Sequence, residues 1–589
     1  MLGGRGPQRG LFEADSMYAD FVGRKTFYGF LASERGELFK DEDFAGLYCV
    51  NNGRPSVPPS LLATALVLQT YDGASDDEAK QRADYDLRWK VALGVGLDER
   101  PFAKSTLQEF RAQLIIHREQ AAVFRRSLEL AKRRGYLKHS RKLKLALDTT
   151  AILGRGAVKD TYNLLADGIV LVVRALAKQA GEPLAAWAER HGFGRYVSGP
   201  SLKGQAEIDW SDRRQRRQFL QEVVADAGRV LELARAALLE RAEGSPEEAA
   251  LVEAAGLLGR VLVQDIEPKP DGPALKQGVA EGRLMSVHDP DMRHGHKSKS
   301  QRFEGHKAQL AVDTDSQLVT AVAVLPGNAP DAEEALVVVE QTEADTGCEV
   351  DETIGDCAYG SGPTRQAFEA AGRTLIAKVP AESNQGRFTK SDFQIDLTAG
   401  TCTCPAGQTT GKITTPSTGR LFHFAAAVCR ACPLRAQCVK GRGGRSIRVH
   451  PQEALLRKAR ALQASPAFRE YRARRQGAEH RIARLAQLGI RQARYFGRTK
   501  TLFQLYLAAA VANLTLLANA ASGGAGSTAL AGLFLALAAL LLAHSSRLQR
   551  HRPLLTAYRG PTRSSFPLTP VMPSVPIWAL KTPACRPSF

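Results

Sequence analysis

Two aspartates close short apolar runs, Asp148 in KLKLALDTTAIL and Asp356 in ETIGDCAYG. Leu143, Leu145 and Leu147 alternate with Lys144 and Ala146 in the period of a strand, which places Asp148 at the end of that strand. The run ETIGD reads as a second strand, and Asp356 stands where it gives way to a glycine-punctuated turn. A single Asp in such a place commonly serves as a turn or cap residue. Two on neighbouring strands, joined by a third carboxylate, could instead hold Mg2+ or Mn2+, hard cations that prefer oxygen ligands. Two such ions can activate a water or sugar hydroxyl for in-line attack on phosphorus and stabilise the departing oxygen.

The third acid comes from a short choice, because Glu453, Glu470 and Glu479 are the only acidic residues after Val439. Glu479 lies in YRARRQGAEHRIARLAQLGIRQARYFG, a helical run with Arg475 one turn before it. Two readings stand side by side. One is an exposed Arg475 and Glu479 pair of small energetic value. The other is a metal-binding carboxylate on a helix whose Arg472, Arg475, Arg481 and Arg484 grip the phosphates of a nucleic acid.

The elements that must position these residues follow an α/β order. Residues 16–135 read as a helical domain, either DNA-binding or a dimerisation module. Its signals are the prolines before the apolar run in VPPSLLATALVLQ and capping boxes at Ser75 with Glu78 and Ser105 with Gln108. Leu107, Phe110 and Leu114 share one face of the helix that follows. Residues 140–382 read as a mixed-sheet core containing a helical insertion at about 160–280. In that core HKAQLAVDTDSQLVTAVAVLP has the form of a hairpin. A helix from about Ala332 to Thr346, ETIGD, a helix through Phe368 and the strand RTLIAKV complete it. A cysteine-rich segment occupies 383–450, a helical part with Glu479 occupies 451–520, and an apolar then Pro/Arg-rich tail occupies 521–589.

A formal net charge of +19 and a pI near 9.6 favour a polyanionic partner such as nucleic acid. The block MRHGHKSKSQRFEGHK offers Arg293, Lys297, Lys299, Arg302 and Lys307 as phosphate contacts, against the alternative of a solvated loop. The opening MLGGRGPQRG does not read as a secretory signal, and a reducing cytoplasm is the expected compartment. Cys404, Cys429, Cys432 and Cys438 therefore read as ligands of a structural Zn2+, with Cys402 as a spare, rather than as a disulfide framework. The apolar stretch Ala529 to Ala543 is short for a membrane span, and a buried or partner-binding helix is the expectation there.

The blocks GRPSVPPSLLATALVLQTYDGASDDEA, LDTTAILGRGAVKDTYNLL, SVHDPDMRHGHKSKSQRFEGHKAQLAVD, VLPGNAPDAEEAL, IGDCAYGSGPTR and the helix ending RYFG occur in that order over about residues 16–520. In this they resemble bacterial insertion-sequence transposases of the DDE type, the eleven-eighty-two-like group. The resemblance implies an RNase H-like catalytic core acting on the double-stranded DNA of element ends and target. It implies Asp148, Asp356 and Glu479 as the metal-binding triad, a homodimer in the DNA complex and a nucleoid-associated place in the cytoplasm. Tyr471, Arg475 and Glu479 are similar to the first three members of a Tyr, Arg, Glu, Lys signature, while Ala486 stands where the lysine would be sought. A transposase-derived DNA-binding protein without catalysis is the alternative.

Overall fold

The structure is a computed structural model and describes residues 1–523 except 5–13, 51, 139–140, 200, 240–244, 298–299 and 418. Lys299 and the tail with its Ala529 to Ala543 stretch lie outside the described residues.

The N-terminal part is helical, as expected. Four of its helices are α1 (Phe27–Leu38), α2 (Pro59–Asp72), α3 (Asp76–Tyr85) and α4 (Lys104–Ile116). Pro59 sits at the first turn of α2, where its missing N–H has no helical partner to lose, and Gly73 ends that helix at φ 65°. The Ser75 and Glu78 box forms, each side chain accepting from the other's backbone N–H. The second expected box does not. Because α4 begins at Lys104, Ser105 is already inside the helix, and Gln108 instead donates to Asp76 at 2.9 Å.

The main sheet contains β1 (Leu143–Leu153), β2 (Arg293–His296), β3 (Arg302–Asp313), β4 (Val319–Pro326), β5 (Val350–Gly355) and β6 (Thr374–Ala377). β1 is central, antiparallel to β3 on one side and parallel to β5 on the other. β6 lies parallel beyond β5, while β4 and β2 pair with successive lengths of β3. The expected hairpin is β3 and β4, turning through Thr314 to Gln317, with Gln317 at φ 61°. Asp148 lies mid-strand, which corrects its expected position. Pairing with β5 stops at Ala146 opposite Ile354, but pairing with β3 carries β1 on to Leu153 opposite Gly305.

Between β1 and β2 run α5 (Thr161–Gln179), α6 (Arg213–Leu239) and α7 (Pro246–Asp265), packed around their own core of Leu164, Ile169, Val172, Val223 and Leu258. α8 (Ala335–Thr346) starts three residues later than expected, and α9 (Gly362–Ala370) follows the Asp356 turn. The cysteine-rich segment forms two small three-stranded sheets around Phe393, Cys402, Phe422 and Ile447.

The chain then returns to the sheet through α10 (Glu453–Ala464), α11 (Phe468–Gln487) and α12 (Arg498–Gly523). By length and composition α12 could cross a membrane, yet 72% of its most apolar window is buried inside the protein. Its Asn513 is fully buried and exchanges two 2.9 Å hydrogen bonds with the backbone of Val319. α12 is thus a core helix of this unit, joining the N-terminal helices to the sheet in one continuous apolar core.

Candidate active site

The register of the parallel pair places the two aspartates. Ala146 is level with Ile354, so Asp148 and Asp356, each two residues further on, come level at the end of that pairing. Asp356 leaves β5 and caps a single helical turn, its carboxylate accepting the Ala358 N–H at 2.8 Å. Asp148 Oδ1 accepts its own neighbour's N–H, that of Thr149, at 2.8 Å, and Oδ2 accepts from Arg475 at 3.1 Å.

The third acid arrives on α11, which lies against β1, β3 and β5. Small residues permit that approach. Ala478 is fully buried, and a Cβ on Gly477 would sit 2.4 Å from the side-chain amide of Gln317 in the hairpin turn. Glu479 follows them, about half exposed, and Arg475 one turn back bonds both Glu479 and Asp148.

The electrostatics join all three acids. Burial pushes the Asp148 carboxyl above its ordinary pKa, the Thr149 N–H and Arg475 oppose this, and the charges of Asp356 and Glu479 push it further up. The phenol of Tyr359, fully buried close by, is raised first by burial and also by Asp148, Asp331 and Asp356, with the Gln309 hydrogen bond opposing.

Three carboxylates that feel one another are the donor chemistry a hard divalent cation requires. Their arrangement is not a ready cage. Among the described residues no group of three or more His, Cys, Asp or Glu side chains is placed to hold a metal ion, and the cation at Asp148 and Glu479 is Arg475.

The expected basic contacts divide. Lys297 and Arg302 are exposed, whereas Arg293 donates to the Pro290 and Met292 carbonyls and Lys307 to Asp331 and the Ala329 carbonyl. On α11, Arg472 is exposed, and Arg484 stands over the Tyr71 ring at 5.9 Å. Arg481 is partly buried; burial and Arg484 lower its pKa, and its Nε lacks a hydrogen-bond partner. The arginines therefore point around the helix rather than forming one grip.

Cys404, Cys429, Cys432 and Cys438 do meet, lining a cavity of about 30 Å3 with Phe424 and Arg445. Burial raises the Cys438 thiol, Arg445 opposes, and the other three cysteines add to the rise. Cys402 is excluded from them, fully buried in the small core with its thiol pushed up to about 11 by burial and by Cys404. As placed, the four thiols do not stand as a metal-holding group.

Several residues of the site were missed from sequence. Gln309 on β3 donates to the Asp331 carbonyl at 2.8 Å and to the Tyr359 hydroxyl at 3.2 Å, beneath the aspartates. Its sequence signal was a lone amide in the apolar run AQLAV, and the structure buries it fully. Glu352 on β5 accepts from the Tyr471 hydroxyl at 3.2 Å and pairs with Arg474 at 3.6 Å, fastening α11 to the sheet.

Comparison with protein-family models places two matches on this framework. Residues 403–518 match the family described as Transposase DDE domain, and residues 29–113 match the one described as Transposase domain (DUF772). Both matches are to transposase domains. Together they support an insertion-sequence DDE transposase. The first includes the four cysteines, Arg475 and Glu479, and the second lies within the N-terminal helices. Asp148 and Asp356 fall outside both, so their assignment rests on the geometry above. No curated protein and no solved structure matches the chain.

Proposed function

We propose that this chain is a DDE transposase of the eleven-eighty-two-like group. In this reading it cleaves DNA at the ends of its own insertion sequence and transfers the freed ends to target DNA. The observation that carries the reading is the meeting of Asp148, Asp356 and Glu479 from β1, β5 and α11, on a sheet in the order β4, β3, β1, β5, β6. That order, with an antiparallel run on one side of β1 and parallel strands on the other, supports an RNase H-like core into which the helical segment at about 160–280 and the cysteine-rich segment are inserted.

Asp148, Asp356 and Glu479 would hold Mg2+ or Mn2+, which when bound would activate the attacking oxygen and stabilise the leaving one. The protein's own part is to fix the acids. The sheet register holds two level, and Gly477 and Ala478 let the third approach. Hydrolysis adds water across a phosphodiester, leaving a 3′ hydroxyl and a 5′ phosphate. The 3′ hydroxyl then attacks a target phosphodiester and releases a new 3′ hydroxyl there. No covalent bond to the protein is needed. Lys297, Lys299, Arg302 and Arg472 are the proposed phosphate contacts, and two copies would act together on paired ends.

The cysteine-lined cavity is proposed as a structural Zn2+ site that braces its two small sheets. Replacing Cys429 and Cys432 by Ser is expected to abolish protein-bound zinc measured by mass spectrometry. Equal metal content in the parent and variant proteins would remove that part of the reading.

The direct test incubates the chain with a duplex carrying the ends of its encoding element and Mg2+. Strand cleavage exposing a 3′ hydroxyl is expected. Tight binding without cleavage under the same conditions would favour the alternative, a DNA-binding protein that has lost catalysis.

A further inference from the structure

The proposed metal ligands are already engaged by an internal cation. Arg475 donates to Asp148 Oδ2 at 3.1 Å and, through its other terminal nitrogen, to Glu479 Oε1. The second oxygen of Asp148 is also taken, by the Thr149 N–H. Both oxygens of Asp148 therefore have donors, one of which is fixed backbone and one of which is a side chain able to leave.

No other cationic side chain among the described residues lies within ion-pairing distance of Asp148, Asp356 or Glu479. The neighbouring Arg474 cannot substitute, being held by Glu470 and Glu352. Arg475 nevertheless has a way out. Its side chain is 24% exposed and Glu479 is 53% exposed, so the guanidinium can turn toward solvent or a ligand. A phosphodiester is the ligand it would accept most readily, because guanidinium pairs with phosphate in the same forked geometry as with carboxylate.

We propose that Arg475 is a displaceable counter-ion that keeps Asp148 and Glu479 together in the DNA-free protein and excludes the divalent cation. A DNA phosphate then draws the guanidinium away and opens the site. This rests on the reading of the three acids as metal ligands and explains why they meet without forming a cage. Its consequence is linkage. Whatever removes Arg475 strengthens metal binding, and metal in turn favours the DNA-bound position of Arg475. The protein would thereby bind its ions mainly when substrate is present.

The test is Mn2+ affinity of the full chain without DNA, read from the electron paramagnetic resonance signal of free Mn2+. The comparison uses the parent chain, Arg475→Gln, Arg475→Lys and Arg469→Gln, the last altering an exposed arginine near the start of the same helix. Arg475→Gln is expected to bind Mn2+ about tenfold more tightly, the scale of one charge-assisted contact. Arg475→Lys, which keeps the charge but cannot fork across two carboxylates, is expected to fall between, and Arg469→Gln to match the parent. Unchanged or weaker binding in both Arg475 variants would overturn the proposal. Adding Asp356→Asn to Arg475→Gln separates the two layers of the argument. Loss of the tightened binding supports both, whereas Mn2+ binding indifferent to Asp356 would overturn the assignment of the acids themselves.

Discussion

At the scale of single residues, the site holds charge where burial opposes it. Asp148 is on a central strand, and its carboxyl is raised chiefly by burial despite Arg475. In the unfolded chain it would titrate near its ordinary value, so between that value and the folded one the native state binds more protons. Stability from this residue is therefore lost as pH rises through that window. Asp148→Asn is accordingly expected to raise the melting temperature at pH 7, with the gain shrinking as pH falls through the carboxylate range. A variant that melts lower at pH 7 would contradict this account of Asp148. The strands carrying Asp148 and leading into Asp356 were legible in the sequence because strand period and turn chemistry are local signals. The Arg475 and Glu479 pair was legible too, being one helical turn apart. The contact of Arg475 with Asp148 was not, since 327 residues separate them and only the folded sheet brings them together.

At the scale of elements, unequal neighbours explain most departures from the sequence reading. Asp148 was expected at a strand end; pairing with β5 does stop two residues before it, at Ala146, but pairing with β3 carries β1 on to Leu153. Ser105 and Gln108 have the spacing of a capping box, yet α4 starts one residue earlier and Asp76 claims Gln108. The apolar stretch expected to form a buried or partner-binding helix, Ala529 to Ala543, lies outside the described residues, whereas the apolar helix α12 before it is largely buried and is anchored by Asn513. β4 slips by one residue against β3 at Thr320, and Asn513 satisfies the N–H and C=O of Val319 beside this bulge. Asn513→Leu would leave both groups buried without partners, at a cost of roughly 2 kcal/mol or more. Urea denaturation should show that loss, and a variant as stable as the parent would mean the helix is not anchored there.

At the scale of the whole molecule, the N-terminal helices are fastened to the segment that carries the third acid. Asp76 accepts from Gln69, Gln108 and both terminal nitrogens of Arg111 at 2.6 to 2.9 Å, and Arg494, beyond α11, donates to the Ala74 carbonyl at 3.1 Å. Burial pushes the Asp76 carboxyl up, but the hydrogen bonds from Arg111, Gln108 and Gln69 outweigh it and hold the pKa far below the usual range. Its stabilising contribution is present above the ordinary Asp pKa and lost as pH falls through the depressed one. Asp76→Ala strands the buried Arg111 and is expected to cost about 3 kcal/mol near neutral pH. The difference from the parent should fade in strong acid. An equal deficit at every pH would assign the effect to packing. This junction was not legible in advance, because Asp76 reads locally as one of several acids in the first turn of a helix. Asp356→Asn tests the proposed chemistry of the whole molecule. Mg2+-dependent cleavage of duplex ends is measured beside DNA binding for the parent and this variant. The account predicts equal binding by both and cleavage by the parent alone. Equal cleavage by both would show that the catalytic acids lie elsewhere.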